Sequence, residues 1–209
     1  MSDSDFLPRK RRKEARPSEL IAAALDIFVE KGFAATRLDE VAERAGVVKG
    51  TLYRYFANKE ELFKAVIREG VIPLIDEAEA MVASHAGSEF ALLERVLLGW
   101  WQRIGTTRLS GIPKLIVAEA RNFPEVAAFY YENVICRGRA MLAGILERGM
   151  ASGEFRRCNV EHCIDVVYAP IFLLAVWQHS IFPCGETRVD PEAILRTHLE
   201  LLAQGLCAA

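Results

Sequence analysis

Lys49, Thr51, Tyr53 and Arg54 place four hydrogen-bonding side chains within six consecutive residues. Their chemistry suits a polyanion. The Lys49 ammonium can reach a phosphate or a guanine edge. Thr51 offers a hydroxyl to phosphate or a methyl to thymine, and Tyr53 offers a phenol to phosphate. The guanidinium fork of Arg54 matches guanine O6 and N7, which makes it the best candidate for reading a base directly. Gly50 has no side chain, so its backbone can approach another surface closely. Lys59 opens the following helix, whose free amides also favour a phosphate. Thr36 and Arg37 stand in the same way at the start of the preceding helix. Tyr55 comes three residues after Leu52. It is expected to pack inward more than to touch DNA, and is kept among the candidate contacts.

These side chains need a frame, and the local sequence supplies one. Thr36 followed by Asp39 reads as a capping box. Leu38, Val41, Ala42 and Ala45 then fall at helical spacing, and Gly46 supplies a left-handed stop. A second short helix follows, with Leu52 and Tyr55 on one face and the polar groups on the others. Asn58 with Glu61 marks the N-cap of a longer helix over about 59–83. Pro73 should kink or interrupt that helix. Before all of these, a helix from Pro17 to Lys31 carries Leu20, Ala24 and Ile27 in one apolar row and Ile21, Leu25 and Phe28 in the next.

Residues 32–63 resemble the DNA-binding domain of the tetracycline-repressor (TetR) family of bacterial transcriptional regulators. The matching elements are Gly32-Phe33, Thr36, Val41-Ala42, Ala45-Gly46-Val47, Lys49 to Tyr53, Tyr55-Phe56 and Asn58 to Leu62, in order and without a gap. The resemblance implies an all-α chain in three parts. A basic arm occupies residues 1–13, a three-helix helix-turn-helix head residues 14–74, and a larger helical ligand-binding and dimerisation domain residues 75–209. It implies double-stranded operator DNA as partner, bound by a homodimer and released by a small-molecule inducer. It also implies that Thr36, Arg37, Lys49, Gly50, Thr51, Tyr53, Arg54, Tyr55 and Lys59 lie at the family's DNA-contact positions. Many members carry Ser or Thr where this chain has Val48. Val48 cannot cap, which removes about 1 kcal/mol of local stabilisation.

Charge and composition agree with this. The net charge is only -2. Residues 1–64 hold 13 Lys and Arg against 11 Asp and Glu, while the rest holds 13 against 17. Arg9 to Arg16 contains six basic residues and one acid. Directly before a helix-turn-helix, such a run suits an arm that reaches phosphates or a minor groove. The longest apolar run, Val166 to Trp177, is twelve residues. That is short of the roughly 18 expected of a membrane span. The N-terminus is charged and has no apolar signal core, so a cytoplasmic protein with no membrane partner is expected. The five cysteines are odd in number and form no CxxC. They read as ordinary thiols. No phosphate loop, catalytic triad or paired-carboxylate site is visible, so no cofactor, no metal and no enzymatic activity are expected. The alternative is a small all-helical enzyme or metal-binding protein using Cys158, His162 and Cys163.

Beyond residue 84 the pattern is helical throughout. Helices are expected over about 88–104, 111–121, 124–151, 160–181 and 190–206, with Pro170 inside the fourth. The family resemblance implies a pocket here for an apolar or aromatic inducer. The candidate lining residues are Trp100, Trp101, Phe129, Tyr130, Phe172 and Trp177. Adjacent Trp100 and Trp101 cannot both face the same way. The last two helices are expected to form a two-fold interface. Leu173, Leu195, Leu199 and Leu202 are the candidates, because the stretch Val166 to Trp177 is apolar nearly all round.

Overall fold

The computed structural model describes residues 17–185 and 189–208. The basic arm lies outside them. Among the described residues there is no β-strand, and Phe155 and Cys207 form an isolated antiparallel bridge. The chain divides into two compact units, the first ending at Val66 and the second beginning at Ile67. The division falls within α4 (Lys59–Gly70).

The first unit contains α1 (Pro17–Lys31), α2 (Leu38–Arg44), α3 (Lys49–Tyr55) and the start of α4. Its core is built on Phe28, Phe33 and Phe63, whose ring centroids are each 5.2 Å from the other two. Leu20, Ile27, Val41, Leu52 and Leu62 complete it, all fully or almost fully buried. Two hydrogen bonds make the turn between α2 and α3. Val47 N–H reaches Ala42 O at 2.9 Å and Gly46 N–H reaches Glu43 O at 3.0 Å. That is a Schellman closure, and it requires the left-handed φ of +71° that Gly46 adopts. Val48 caps α3 with backbone alone, as its side chain dictates. Asn58 Oδ1 accepts Glu61 N–H at 2.8 Å at the start of α4. The expected cap at Thr36 does not form. Arg37 occupies the N-cap of α2, and the Thr36 hydroxyl donates backwards to Gly32 O at 2.7 Å.

The second unit holds α5 (Ile72–Ala83), α6 (Glu89–Trp100), α7 (Gly111–Glu119), α8 (Pro124–Tyr130), α9 (Cys136–Ser152), α10 (Val160–Gln178) and α11 (Pro191–Leu206). Pro73 interrupts rather than kinks: the chain breaks at Val71, and the proline sits in the first turn of α5, where its missing N–H costs nothing. A single turn of π-helix extends α6 over Trp101–Gly105, and another, Tyr131–Ile135, joins α8 to α9. The core is aliphatic, drawn from α6, α9, α10 and α11, with Leu92, Leu93, Ile145, Leu146, Ile164 and Val167 at its centre. Glu154, in the turn after α9, caps α6 from a distance. Its carboxylate accepts Ser88 Oγ at 2.5 Å, Glu89 N–H at 2.8 Å and Phe90 N–H at 3.0 Å. Burial alone would raise this carboxyl, but those hydrogen bonds more than offset it and hold it below its ordinary value.

Candidate DNA interface and ligand cavity

In the first unit, α3 buries Leu52 and Thr51 and turns Lys49, Gly50, Tyr53, Arg54 and Tyr55 outward. Tyr53 is 45% exposed and Tyr55 40%. The expectation that Tyr55 packs inward is therefore corrected. Helical geometry places it beyond the face held by Leu52, and its ring becomes a platform. The Arg54 guanidinium lies 5.2 Å from the Tyr55 ring centre, which keeps the fork extended along the surface. Lys49 pairs with Asp39 at 2.9 Å and lies 5.6 Å from the Tyr53 ring centre. The hydrogen bond to Asp39 raises the lysine above its ordinary value. Arg37 is exposed at the start of α2. These side chains form one basic and aromatic surface, the combination that phosphates and base edges require.

Three expected contacts are placed elsewhere. Thr36 and Thr51 are buried, at 3% and 6% exposure. The Thr36 hydroxyl is committed to Gly32 O. Lys59 is turned into the unit itself. Its ammonium donates to Phe33 O at 2.7 Å, Ala34 O at 2.9 Å and Thr36 O at 3.2 Å, and lies 4.7 Å from the Phe33 ring centre. An ammonium has three hydrogens, and three carbonyls receive them. Lys59 thus ties the loop between α1 and α2 to the start of α4 instead of reaching for a phosphate.

The second unit contains a cavity of about 460 Å³. That is within the range of roughly 300–1,000 Å³ usual for small-molecule sites. Its walls come from α5, α6, α9, α10 and both π turns, and are mainly aliphatic, including Leu74, Val96, Ile104, Val134, Met141 and Ile171. Of the six aromatic candidates, Trp100 alone lines it. Trp101 points the other way into the core and is 3% exposed. Tyr130 is packed in the interior, where burial pushes its phenol well above the ordinary value. Phe129 lies beneath the Arg68 guanidinium, at 4.9 Å. Phe172 packs on Tyr168, and Trp177 on Phe182.

The aromatic that sequence reasoning missed is Tyr168. It lines the cavity and meets Trp100 edge to face at 6.1 Å. Burial raises its phenol above the ordinary value. Gly99 and Gly138 also line the cavity, and a Cβ at either would meet nothing within 4 Å. Two mid-helix glycines facing open space were the available signal.

The apolar rows of the last two helices divide differently from expectation. Leu195, Leu199 and Leu202 are buried in the unit's own core, at 2%, 8% and 6% exposure. The outward row of α10 is Val166, Leu173 and Trp177, and that of α11 includes Ile194 and Leu201. Nor do Cys158, His162 and Cys163 converge. The two thiols meet, and burial pushes Cys163 up to about 11, but the His162 side chain is exposed. Among the described residues no three His, Cys, Asp or Glu side chains are grouped to hold a metal ion. The metal-protein alternative therefore loses its site.

Residues 20–66 match the family "Bacterial regulatory proteins, tetR family", and residues 91–169 match "AefR-like transcriptional repressor, C-terminal domain". The chain is 30% identical over 171 residues to the uncharacterized HTH-type transcriptional regulator YdeS of Bacillus subtilis, covering 77% of this chain and 78% of that one. It is 25% identical over 199 residues to the fatty acid metabolism regulator protein of the same organism, covering 93% and 98%. Among solved structures it is similar to the Bacillus subtilis regulator FadR in complex with stearoyl-CoA, with a TM-score of 0.69, 23% identity, and 91% and 99% coverage. The exposed basic helix set by the Gly46 turn thus lies within the residues that match the tetR model, and the chain belongs to the TetR family of bacterial transcriptional regulators.

Proposed function

We propose that this regulator is a homodimeric repressor that binds a palindromic operator and releases it when a largely apolar small molecule fills the cavity of the second unit. The observation that carries the DNA reading is α3, which keeps Leu52 in the core while presenting Lys49, Tyr53 and Arg54 outward. Arg54 reads a base and Lys49 exchanges Asp39 for a phosphate. Dimerisation is supported by the outward rows of α10 and α11, where Val166, Leu173, Trp177, Ile194 and Leu201 are exposed and a partner helix would cover them. An isologous pair would present two α3 helices to two half-sites. The ligand reading rests on the aliphatic cavity, and a similar regulator was solved with a long-chain acyl thioester.

The test is fluorescence anisotropy on an operator selected from random duplexes. Arg54→Ala should cost about 1–3 kcal/mol on that operator and relax preference at one position per half-site. Affinity for scrambled DNA should change much less. An unchanged specificity ratio would remove Arg54 from base reading. Ligand and operator should weaken each other by the same factor, because coupling between two sites is reciprocal.

A further inference from the structure

The cavity's walls would hold a neutral apolar ligand without any cation, yet three arginines line it against one carboxylate, Glu77. Arg95, Gly99 and Arg103 recur every fourth residue along one helix face, and all three line the cavity. A Cβ at Gly99 would meet nothing within 4 Å, so that position adds no side chain to the wall. The three arginines are not equivalent. Arg139 is neutralised twice, by Glu161 at 2.7 Å and by Asp165. Arg95 is held by an imidazole. His85 Nε2 lies 3.0 Å from the Ser88 carbonyl, which can only accept, so Nε2 carries the hydrogen and Nδ1 accepts from Arg95 at 3.1 Å. Among the described residues no carboxylate pairs with Arg95. Arg103 pairs with Glu77 alone, and both side chains are about half exposed, at 46% and 57%. An ion pair this wet is weak and easily exchanged.

We propose that the cavity selects a ligand with a long apolar body and an anionic head, and that the head takes the place of Glu77 on Arg103, with Arg95 as a second cation. This rests on reading the cavity as the effector site. Glu77 then acts as an internal stand-in for the ligand's head. It keeps Arg103 extended at the cavity in the empty protein and leaves when a better-placed anion arrives. A carboxylate and the phosphates of a carrier thioester share this chemistry. Both match a guanidinium in a way that an alcohol does not.

The test uses the full chain and four twelve-carbon probes that differ only in the head: dodecanoate, dodecanoyl-CoA, dodecanol and dodecyltrimethylammonium. Binding is followed by calorimetry and by tryptophan fluorescence, to which Trp100 in the cavity wall contributes. At least one anionic probe should bind about tenfold or more tightly than dodecanol, as expected of one charge-assisted contact. The tighter of the two anions identifies the source of the head. Arg103→Met should cut the preference about tenfold, and Arg103→Met combined with Arg95→Met should abolish it, with the fold of each variant checked by circular dichroism. Glu77→Gln should tighten the anion further. Equal binding of dodecanol and both anions, or a preference undiminished in Arg103→Met, would overturn the anionic head and leave the cavity reading intact. If no twelve-carbon probe binds, or if Gly138→Leu does not block those that do, the cavity reading falls and the head falls with it.

Discussion

Replacing Lys59 by Met removes three charge-assisted hydrogen bonds while keeping the aliphatic stem beside Phe33. Each hydrogen bond to a charged group is worth roughly 1.5–3 kcal/mol when its partner is left unsatisfied. Water reduces that here, because Lys59 is half-buried and Ala34 is exposed, so the carbonyls can be rehydrated in part. A sum of about 2–3 kcal/mol remains after that discount, and the lost contact with the Phe33 ring adds roughly 0.5–1 kcal/mol. For a domain of this size, 1 kcal/mol moves the midpoint by roughly 4–8 °C, so the first unit should melt on the order of 10–30 °C lower.

All three tryptophans lie at positions 100, 101 and 177 in the second unit, so fluorescence does not report on the first. Hydrogen exchange of peptides from residues 17–66 does, and it should show faster exchange throughout α1 and α4 in Lys59→Met. DNA binding separates the two roles open to the lysine. A phosphate contact contributes about 0.9 to the slope of log affinity against log salt concentration. An ammonium spent on Phe33, Ala34 and Thr36 contributes none. Lys59→Met should therefore keep the wild-type salt slope when measured below its own melting range. A slope shallower by about two, from one lysine in each protomer, with unchanged exchange in α1, would place the ammonium on DNA and dissolve the internal tie.

The outward rows lead to a paired expectation for the last two helices. Leu201→Glu, at a position 63% exposed, should convert dimer to monomer in sedimentation without lowering the melting temperature of the second unit, whereas Leu199→Glu should unfold that unit, because a charge placed in its core has no partner. A stable dimer carrying Glu at position 201 would move the interface away from α11. The buried cluster at the end of α10 gives a dependence on pH. Ser110 Oγ donates to Thr107 O at 2.6 Å, so it accepts from His179 Nε2 at 2.7 Å and from Gln178 at 3.1 Å, and the His179 hydrogen therefore sits on Nε2. Burial, and then Lys114, lower the His179 value below the ordinary 6.5. The unfolded chain thus binds the proton more readily, and the stabilisation present above pH 6.5 is lost as pH falls through that value. Urea unfolding followed by tryptophan fluorescence should show stability falling from pH 7.5 to 5.5, with a flatter profile in His179→Gln. A rise on acidification would exclude this cluster as the sensor.

How much of this was legible in the sequence depended on how local the cause was. Asn58, Ser88, Asn159 and Asp190 each cap a helix within three residues of themselves. A cap needs only its own neighbours, so the boundaries at 59, 89, 160 and 191 follow from residue type. Thr36 is equally local but ambiguous. Its hydroxyl could bond forward to the amides of α2 or back to Gly32, and only the path of the loop decides. Lys59 is not local at all. Its three acceptors lie 23 to 26 residues away in sequence, and nothing in NKEEL announces that they converge. For Leu195, Leu199 and Leu202 the helical period identifies a buried face correctly but not what buries it. Their own core does so here, and a second copy would leave the same pattern. The Trp100–Trp101 pair shows the same limit. Neighbours on a helix diverge by about 100°, so one had to turn away, and the cavity side could not be chosen from the pair alone.

A cavity is made of atoms that are missing, and the sequence around this one shows where they were left out. Glycine inside a helix costs about 0.5–1 kcal/mol relative to alanine, yet Gly99 on α6 and Gly138 on α9 both stand where a methyl group would fit without collision. Turns of π-helix are rare and recur at functional sites. Both π turns here supply lining residues, Arg103 and Ile104 from one and Val134 and Ile135 from the other. Four departures from the best local helix therefore meet around one space, while α10 and α11 pack Leu, Ile and Val against α6 and α9 to near-complete burial. A fold selected for stability alone would fill the space with alanine or leucine and straighten both helices. Keeping it open costs stability in the elements that enclose it, and a ligand that fills the space would restore contacts where they are fewest. Binding energy can then become rearrangement of α5, α6 and α9 more readily than it could in the tightly packed half of the unit.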